Sequence, residues 1–202
     1  MDTPAPTILR LDPRGLKILA HPLRSRLLTA LREYGPATAT ALAERLGTNT
    51  GATSYHLRKL AAVGLVEETD DGRGRERWWR AATEMHGWTE HVVAGDPDAQ
   101  AASDWLRRYY LATFVERYGA WLDAQASWPL AWQDVAGSSD FALRLSPAGL
   151  AAFQAEVEAL FHRFRAGSPE TEDAAGAAGS DDAGAEIVQI YVYAFPLEPS
   201  PR

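Results

Sequence analysis

Apolar positions in the first sixty residues recur every three or four residues, and each run is bounded by residues that start or stop helices. Asp12-Pro13 opens the first run: Asp is a good N-cap, and Pro suits the first helical turn, where its missing N–H is not needed. His21-Pro22 interrupts that helix. Leu23, Leu27, Leu28 and Leu31 then share one face until Gly35-Pro36. Thr38 or Thr40 caps a short helix carrying Leu42, Ala43 and Leu46, and Gly47 supplies a turn. Asn49 caps a third helix, with Leu57 and Leu60, that stops at Gly64. The period then changes. Leu65-Val66 opens a strand, Asp71-Gly72-Arg73-Gly74 reads as a hairpin turn, and residues 77–80 return with Trp78 and Trp79 on opposite faces.

Further along, Asp96-Pro97 starts a helix in which Leu106, Tyr110, Phe114, Trp121 and Leu122 keep helical spacing to about residue 126. That is roughly 45 Å at 1.5 Å per residue, longer than a small domain needs, so a partner subunit is expected along it. Trp128-Pro129 breaks the pattern, residues 141–145 read as a short strand, and Ser146-Pro147 caps an amphipathic helix with Leu150, Phe153, Val157, Leu160, Phe161 and Phe164. Residues 166–185 hold Gly, Ala, Ser and acids without a large apolar group and read as a flexible loop. The β-branched and aromatic run IVQIYVYAF (187–195) reads as a strand, with 141–145 its nearest partner. The expected organisation is a flexible arm over 1–11, a first domain over 12–82, a dimerisation helix region over 83–127 and a small C-terminal α+β module over 128–202. The class is mainly α with small β parts (α+β).

Charge supports that division. The 202-residue chain carries a formal charge of −7, yet residues 1–80 hold 13 Lys or Arg against 9 acids, and residues 81–202 hold 7 against 18. Two unlike surfaces suggest two tasks, with the basic one facing an anionic partner. The absence of cysteine excludes disulfides and thiolate chemistry. No apolar run is long enough to span a membrane, and the N-terminal residues lack a secretory pattern, so a cytoplasmic location is expected. Neither a Gly-rich phosphate loop, a GxSxG or HExxH motif, nor a convincing carboxylate pair occurs, so no enzyme, cofactor or metal is expected. His86 and His91 stand five apart, which misses the i, i+4 spacing of two ligands on one helix face.

The segment ALAERLGTNTGATSYHLRKLAAVGLVEE carries the functional signal. Two short helices joined at Gly47-Thr48 have helix-turn-helix spacing, and a basic hairpin follows. An α-helix fits the major groove of double-stranded DNA, where short polar side chains and Arg meet phosphates and base edges. The DNA-contact candidates on the third helix are therefore Asn49, Thr50, Ala52, Thr53, Ser54, Tyr55, His56, Arg58 and Lys59. Arg73, Arg75 and Arg77 on the hairpin add phosphate or minor-groove contacts. The alternative is a winged helix that assembles proteins without touching DNA.

The blocks ILAHPLRSRLLTAL, ALAERLG, GATSYHLRKLAAVGLVEE and GRGRERWWR occur in an order that resembles the ArsR-like winged helix-turn-helix regulators over roughly residues 13–82. The resemblance implies a homodimeric DNA-binding transcriptional regulator, most often a repressor released by an effector. It also implies that 49–62 is the recognition helix and 71–77 the wing tip. Metal-sensing members place cysteines where this chain has Thr48, Asn49, Thr50 and Gly51, so thiolate sensing does not carry over. The aromatic stripe along the long helix reads as core or dimer seam. Trp121, Trp128 and Trp132 are the candidates for lining a pocket for a small-molecule effector.

Overall fold

Capping chemistry sets the helix starts in this computed structural model, which describes residues 8–69, 76–166 and 185–197. The Asp12 carboxylate accepts from the Gly15 N–H at 2.7 Å and opens α1 (Pro13–Leu19). His21 caps α2 (Pro22–Tyr34) through Nδ1, and Thr38 caps α3 (Ala39–Leu46). The Asn49 side chain accepts from Ala52 N–H at 2.8 Å at the start of α4 (Thr50–Ala61). Between α3 and α4, Gly47 takes φ 64°, a left-handed conformation that strains any residue with a Cβ.

Three short strands follow the expected order with one addition. β2 (Ala37–Thr38), β3 (Val66–Thr69) and β4 (Trp78–Ala81) form an antiparallel sheet in the order β2-β4-β3. Val66 stands opposite Ala81, and Thr69 opposite Trp78. Trp79 is buried and Trp78 half-buried, so the two rings do take opposite faces.

The flexible arm expected over 1–11 is corrected at its end. Ile8–Arg10 form β1, which pairs in parallel with β5 (Met85–Gly87), and Leu11 lies in the core. The N-terminal segment is held because its strand finds a ladder partner far along the chain. Residues 1–7 lie outside the described residues.

α5 (Glu90–Val93) leads to α6 (Pro97–Ala124), capped by Asp96, and a short 3-10 turn (Gln125–Ser127) ends it. The core joins α1, α2, α3, α4, the sheet and the first turns of α6 through Leu16, Leu27, Leu42, Leu57, Leu60 and Leu106, among others. Each fully buried Leu contributes about 1.5–3 kcal/mol by leaving water.

Leu106 is the last buried core residue among those described. Beyond it, the outer stripe of α6, α7 (Leu130–Val135) and α8 (Pro147–Ala166) leave large apolar side chains exposed. Both C-terminal strands expected from sequence are corrected as well. Residues 141–145 and 187–195 join no ladder, and no backbone hydrogen bond pairs them among the described residues. High β-propensity yields a strand only where an edge is available. The second segment instead lays alternate side chains on α6: Tyr191 and Tyr193 meet the Phe114 ring at 5.0 and 5.5 Å. The loop expected over 166–185 falls almost wholly outside the described residues. Among the described residues, no helix is long and apolar enough to cross a membrane.

Candidate nucleic-acid interface

The spacing of α4 divides its residues between two faces. Thr53, Leu57 and Leu60 sit four and three residues apart and are all fully buried. Thr50, Tyr55, Arg58 and Lys59 are exposed, and Ala52, Ser54 and His56 are half-buried. Arg58 and Lys59 lie in the last turn, where positive charge also suits the helix dipole. Lys59 Nζ stands 5.4 Å from the Tyr55 ring centre, which gathers a cation and a phenol on the outward face.

A cleft of about 390 Å³ opens beside this face. Its walls are Thr38, Ala39 and Thr40 at the start of α3, Thr50, Ser54 and Arg58 on α4, and Glu76, Arg77 and Trp79 at the base of the hairpin. Hydroxyl-bearing residues, the start of α3 and two arginines therefore line one concavity. Such a set suits a phosphate-bearing strand running between recognition helix and wing. Glu76 is the one acid on the wall and limits how closely phosphate approaches that end. Thr40 and the α3 start were not among the contact candidates. Thr38 and Thr40 were visible as capping residues, and a helix start attracts anions, so a signal for them was present.

One candidate from the sequence, Thr53, is corrected. Thr53 is fully buried, with a hydroxyl that lacks a partner among the described residues, so it cannot reach a base edge. His56 packs its ring 4.5 Å from that of His21, and its Nδ1 is buried. Burial lowers the pKa of His56, and the neighbouring His21 and Arg24 lower it further. It is therefore a poor source of positive charge for phosphate. Asn49 spends its side-chain oxygen on the α4 cap, leaving only its amide N–H₂ for DNA.

On the hairpin, Arg77 Nη1 is bonded to Glu68 Oε1 at 2.9 Å, so its charge is already partnered. Arg80 is bonded to Glu67 at 2.8 Å. Arg73 and Arg75 lie outside the described residues.

Trp121, Trp128 and Trp132 do come together. Ring centres are 5.6 Å apart for Trp121–Trp128 and 6.1 Å for Trp128–Trp132. At these distances the rings fill the space between one another and form a packed cluster. His91 is exposed, whereas His86 is bonded through both ring nitrogens to Arg32 and Tyr110. Among the described residues, no group of three or more His, Asp or Glu could hold a metal ion.

Comparison with known proteins finds similarity in the N-terminal part of the chain. Residues 19–69 match the helix-turn-helix domain family. The HTH-type transcriptional regulator NmtR of Mycobacterium tuberculosis is 45% identical over 58 residues, which is 29% of this chain and 48% of that protein. The match thus spans about half the length of that relative. Among solved structures, the homodimeric winged helix-turn-helix DNA-binding domain (fragment 1-100) of Mb0332 from Mycobacterium bovis, a possible ArsR-family transcriptional regulator, is 26% identical. It covers 52% of this chain and 76% of its own, with a TM-score of 0.33. RV1404 from Mycobacterium tuberculosis is 20% identical, covers 62% and 84%, and has a TM-score of 0.31.

Proposed function

We propose that this protein, whose residues 19–69 match the helix-turn-helix domain family, is a winged helix-turn-helix regulator of the ArsR-like kind that binds double-stranded DNA in a sequence-specific manner and regulates transcription as a homodimeric repressor. The observation that carries the reading is the cleft where Thr50, Ser54 and Arg58 of α4 meet the start of α3 and the base of the hairpin. The exposed face of α4 enters the major groove, and the wing arginines Arg73 and Arg75 follow the flanking backbone.

The homodimer reading draws on α6. Leu111, Val115 and Leu122 are exposed, and with half-buried Tyr118 they recur at intervals of four, three and four. That is the spacing of a helix seam meeting another helix. Two copies would present their recognition helices about 34 Å apart, one turn of the duplex. A small-molecule effector acting through the C-terminal half relieves repression in this reading. The protein is cytoplasmic and has no enzymatic role.

DNase footprinting with the protein's own upstream region tests the proposal. A protected, roughly palindromic site that is lost in Arg58→Ala supports it. Absence of any sequence-dependent protection, with protein partners retained, would establish the protein-assembly alternative.

A further inference from the structure

One charge in the domain is left unused by the DNA reading: that of Arg32 in α2. The residue is largely buried, and a buried guanidinium ordinarily faces a carboxylate. Here its hydrogen bonds go to neutral groups. Nε donates to the Thr83 carbonyl at 3.1 Å, and Nη1 donates to His86 Nδ1 at 2.9 Å. Glu84 is the acid whose charge acts on Arg32, but its carboxylate is engaged by Arg165 at the end of α8.

Two donors remain at this corner. Arg32 Nη2 and Thr83 Oγ1 are both buried, and neither has a partner among the described residues. They belong to two residues already joined by the bond from Arg32 Nε to the Thr83 backbone carbonyl. A third donor stands behind them. An arginine can only donate, so His86 Nδ1 must accept, and the ring proton sits on Nε2. Nε2 lies 2.8 Å from Tyr110 Oη, which accepts that proton and keeps its own O–H free to donate. Two arginines against one acid leave the corner positive.

From this geometry we infer that the corner formed by Arg32 and Thr83 is a binding site for a small carboxylate. One carboxylate oxygen takes the Arg32 Nη2 proton, and the other takes the Thr83 hydroxyl, a planar two-point match. Arg165, whose charge acts on Arg32, has a side chain that is 64% exposed. The incoming carboxylate competes with Glu84 for Arg165, and so acts on the contact that ties α8 to the segment before β5. The site deepens the effector part of the proposed function and rests on that reading only for its consequence. Binding itself is measured without DNA.

The test is thermal unfolding and calorimetric titration of the full chain at pH 8 with sodium acetate, sodium chloride and acetamide, the salts at equal ionic strength. Acetate is expected to raise Tm saturably, and chloride and acetamide are not. Thr83→Val keeps the side-chain shape but lacks the hydroxyl; it should weaken acetate binding roughly tenfold or more. Arg32→Met should abolish binding, and Thr83→Val decides the matter if Arg32→Met does not fold. An equal response to chloride, an absent response to acetate, or an unchanged acetate affinity in Thr83→Val would each overturn the site. Gel shifts on the same samples separate the two readings. Lost acetate binding with DNA binding retained removes the carboxylate site alone.

Discussion

Arg32 Nη1 donates to His86 Nδ1 at 2.9 Å, so the imidazole accepts at that nitrogen and is neutral. Burial pushes the His86 pKa down to about 3, and the adjacent guanidinium charge adds to the effect. The unfolded chain binds a proton here below about pH 6.5, whereas the folded chain resists it until about 3. His86 therefore contributes stability that is complete above pH 6.5 and falls as pH drops toward 3, by at most about 1.4 kcal/mol per pH unit. His21 and His56 have lowered pKa values as well, so they add to the same trend. Urea midpoints measured between pH 7.5 and 5 should decline with acid, and the decline should be shallower in His86→Gln. Parallel slopes in the two proteins would remove His86 as a source.

Thr53 and Arg58 are five residues apart on α4 and should behave oppositely on substitution. Thr53→Val replaces a buried, unpartnered hydroxyl with a methyl of the same shape. Stability should hold or rise by up to ~1 kcal/mol, and DNA affinity should stay at the parent level. Arg58→Ala should leave stability within about 0.5 kcal/mol, since the side chain is exposed, and weaken specific DNA binding by about 1–3 kcal/mol. Fluorescence anisotropy with a footprinted site distinguishes the two. A large DNA defect in Thr53→Val would mean that α4 presents a different face.

The wing arginines should separate in a salt titration. Removing two phosphate contacts by Arg73→Ala with Arg75→Ala should reduce the slope of log affinity against log salt by about 1.8. Arg77→Ala should change it much less, because Glu68 already neutralises that guanidinium at 2.9 Å. Glu68→Ala frees Arg77 and should steepen the slope toward one further contact. A slope change of about 0.9 in Arg77→Ala, half that of the double variant, would show that DNA displaces Glu68.

What the sequence made legible was local. Asp12, Asn49, Asp96 and Ser146 could be read as caps because each one's side chain bonds an N–H only three residues away. The β3–β4 pair was readable because its two strands are near neighbours in sequence. β1 was not, since its partner β5 lies some seventy-five residues on and no local pattern announces a parallel pair. Thr53 stood four residues before Leu57 and seven before Leu60, so its burial was encoded in the spacing, and its hydroxyl pointed the reading the other way. The Arg32 corner was invisible because α2, β5, α6 and α8 supply one residue each. Residues 187–195 carry strand propensity but join no ladder among the described residues, and their side chains pack on α6 instead.

Leu111 and Leu122 decide the oligomeric state in the proposed reading. Each is 53% exposed in the single chain, so charging them removes little from the fold of one copy. In a dimer seam the same positions would be covered, and a carboxylate at each would meet its symmetry mate or an apolar neighbour. Burying an unpaired charge there costs several kcal/mol. Leu111→Glu with Leu122→Glu should therefore sediment as a monomer at micromolar concentration, where the parent chain sediments as a dimer. Circular dichroism of the variant should stay native, because the core ends at Leu106. Specific DNA affinity should fall by more than tenfold, since one recognition helix then binds without its mate. A variant that remains dimeric would place the seam elsewhere, and a parent chain that is monomeric would end the homodimer reading.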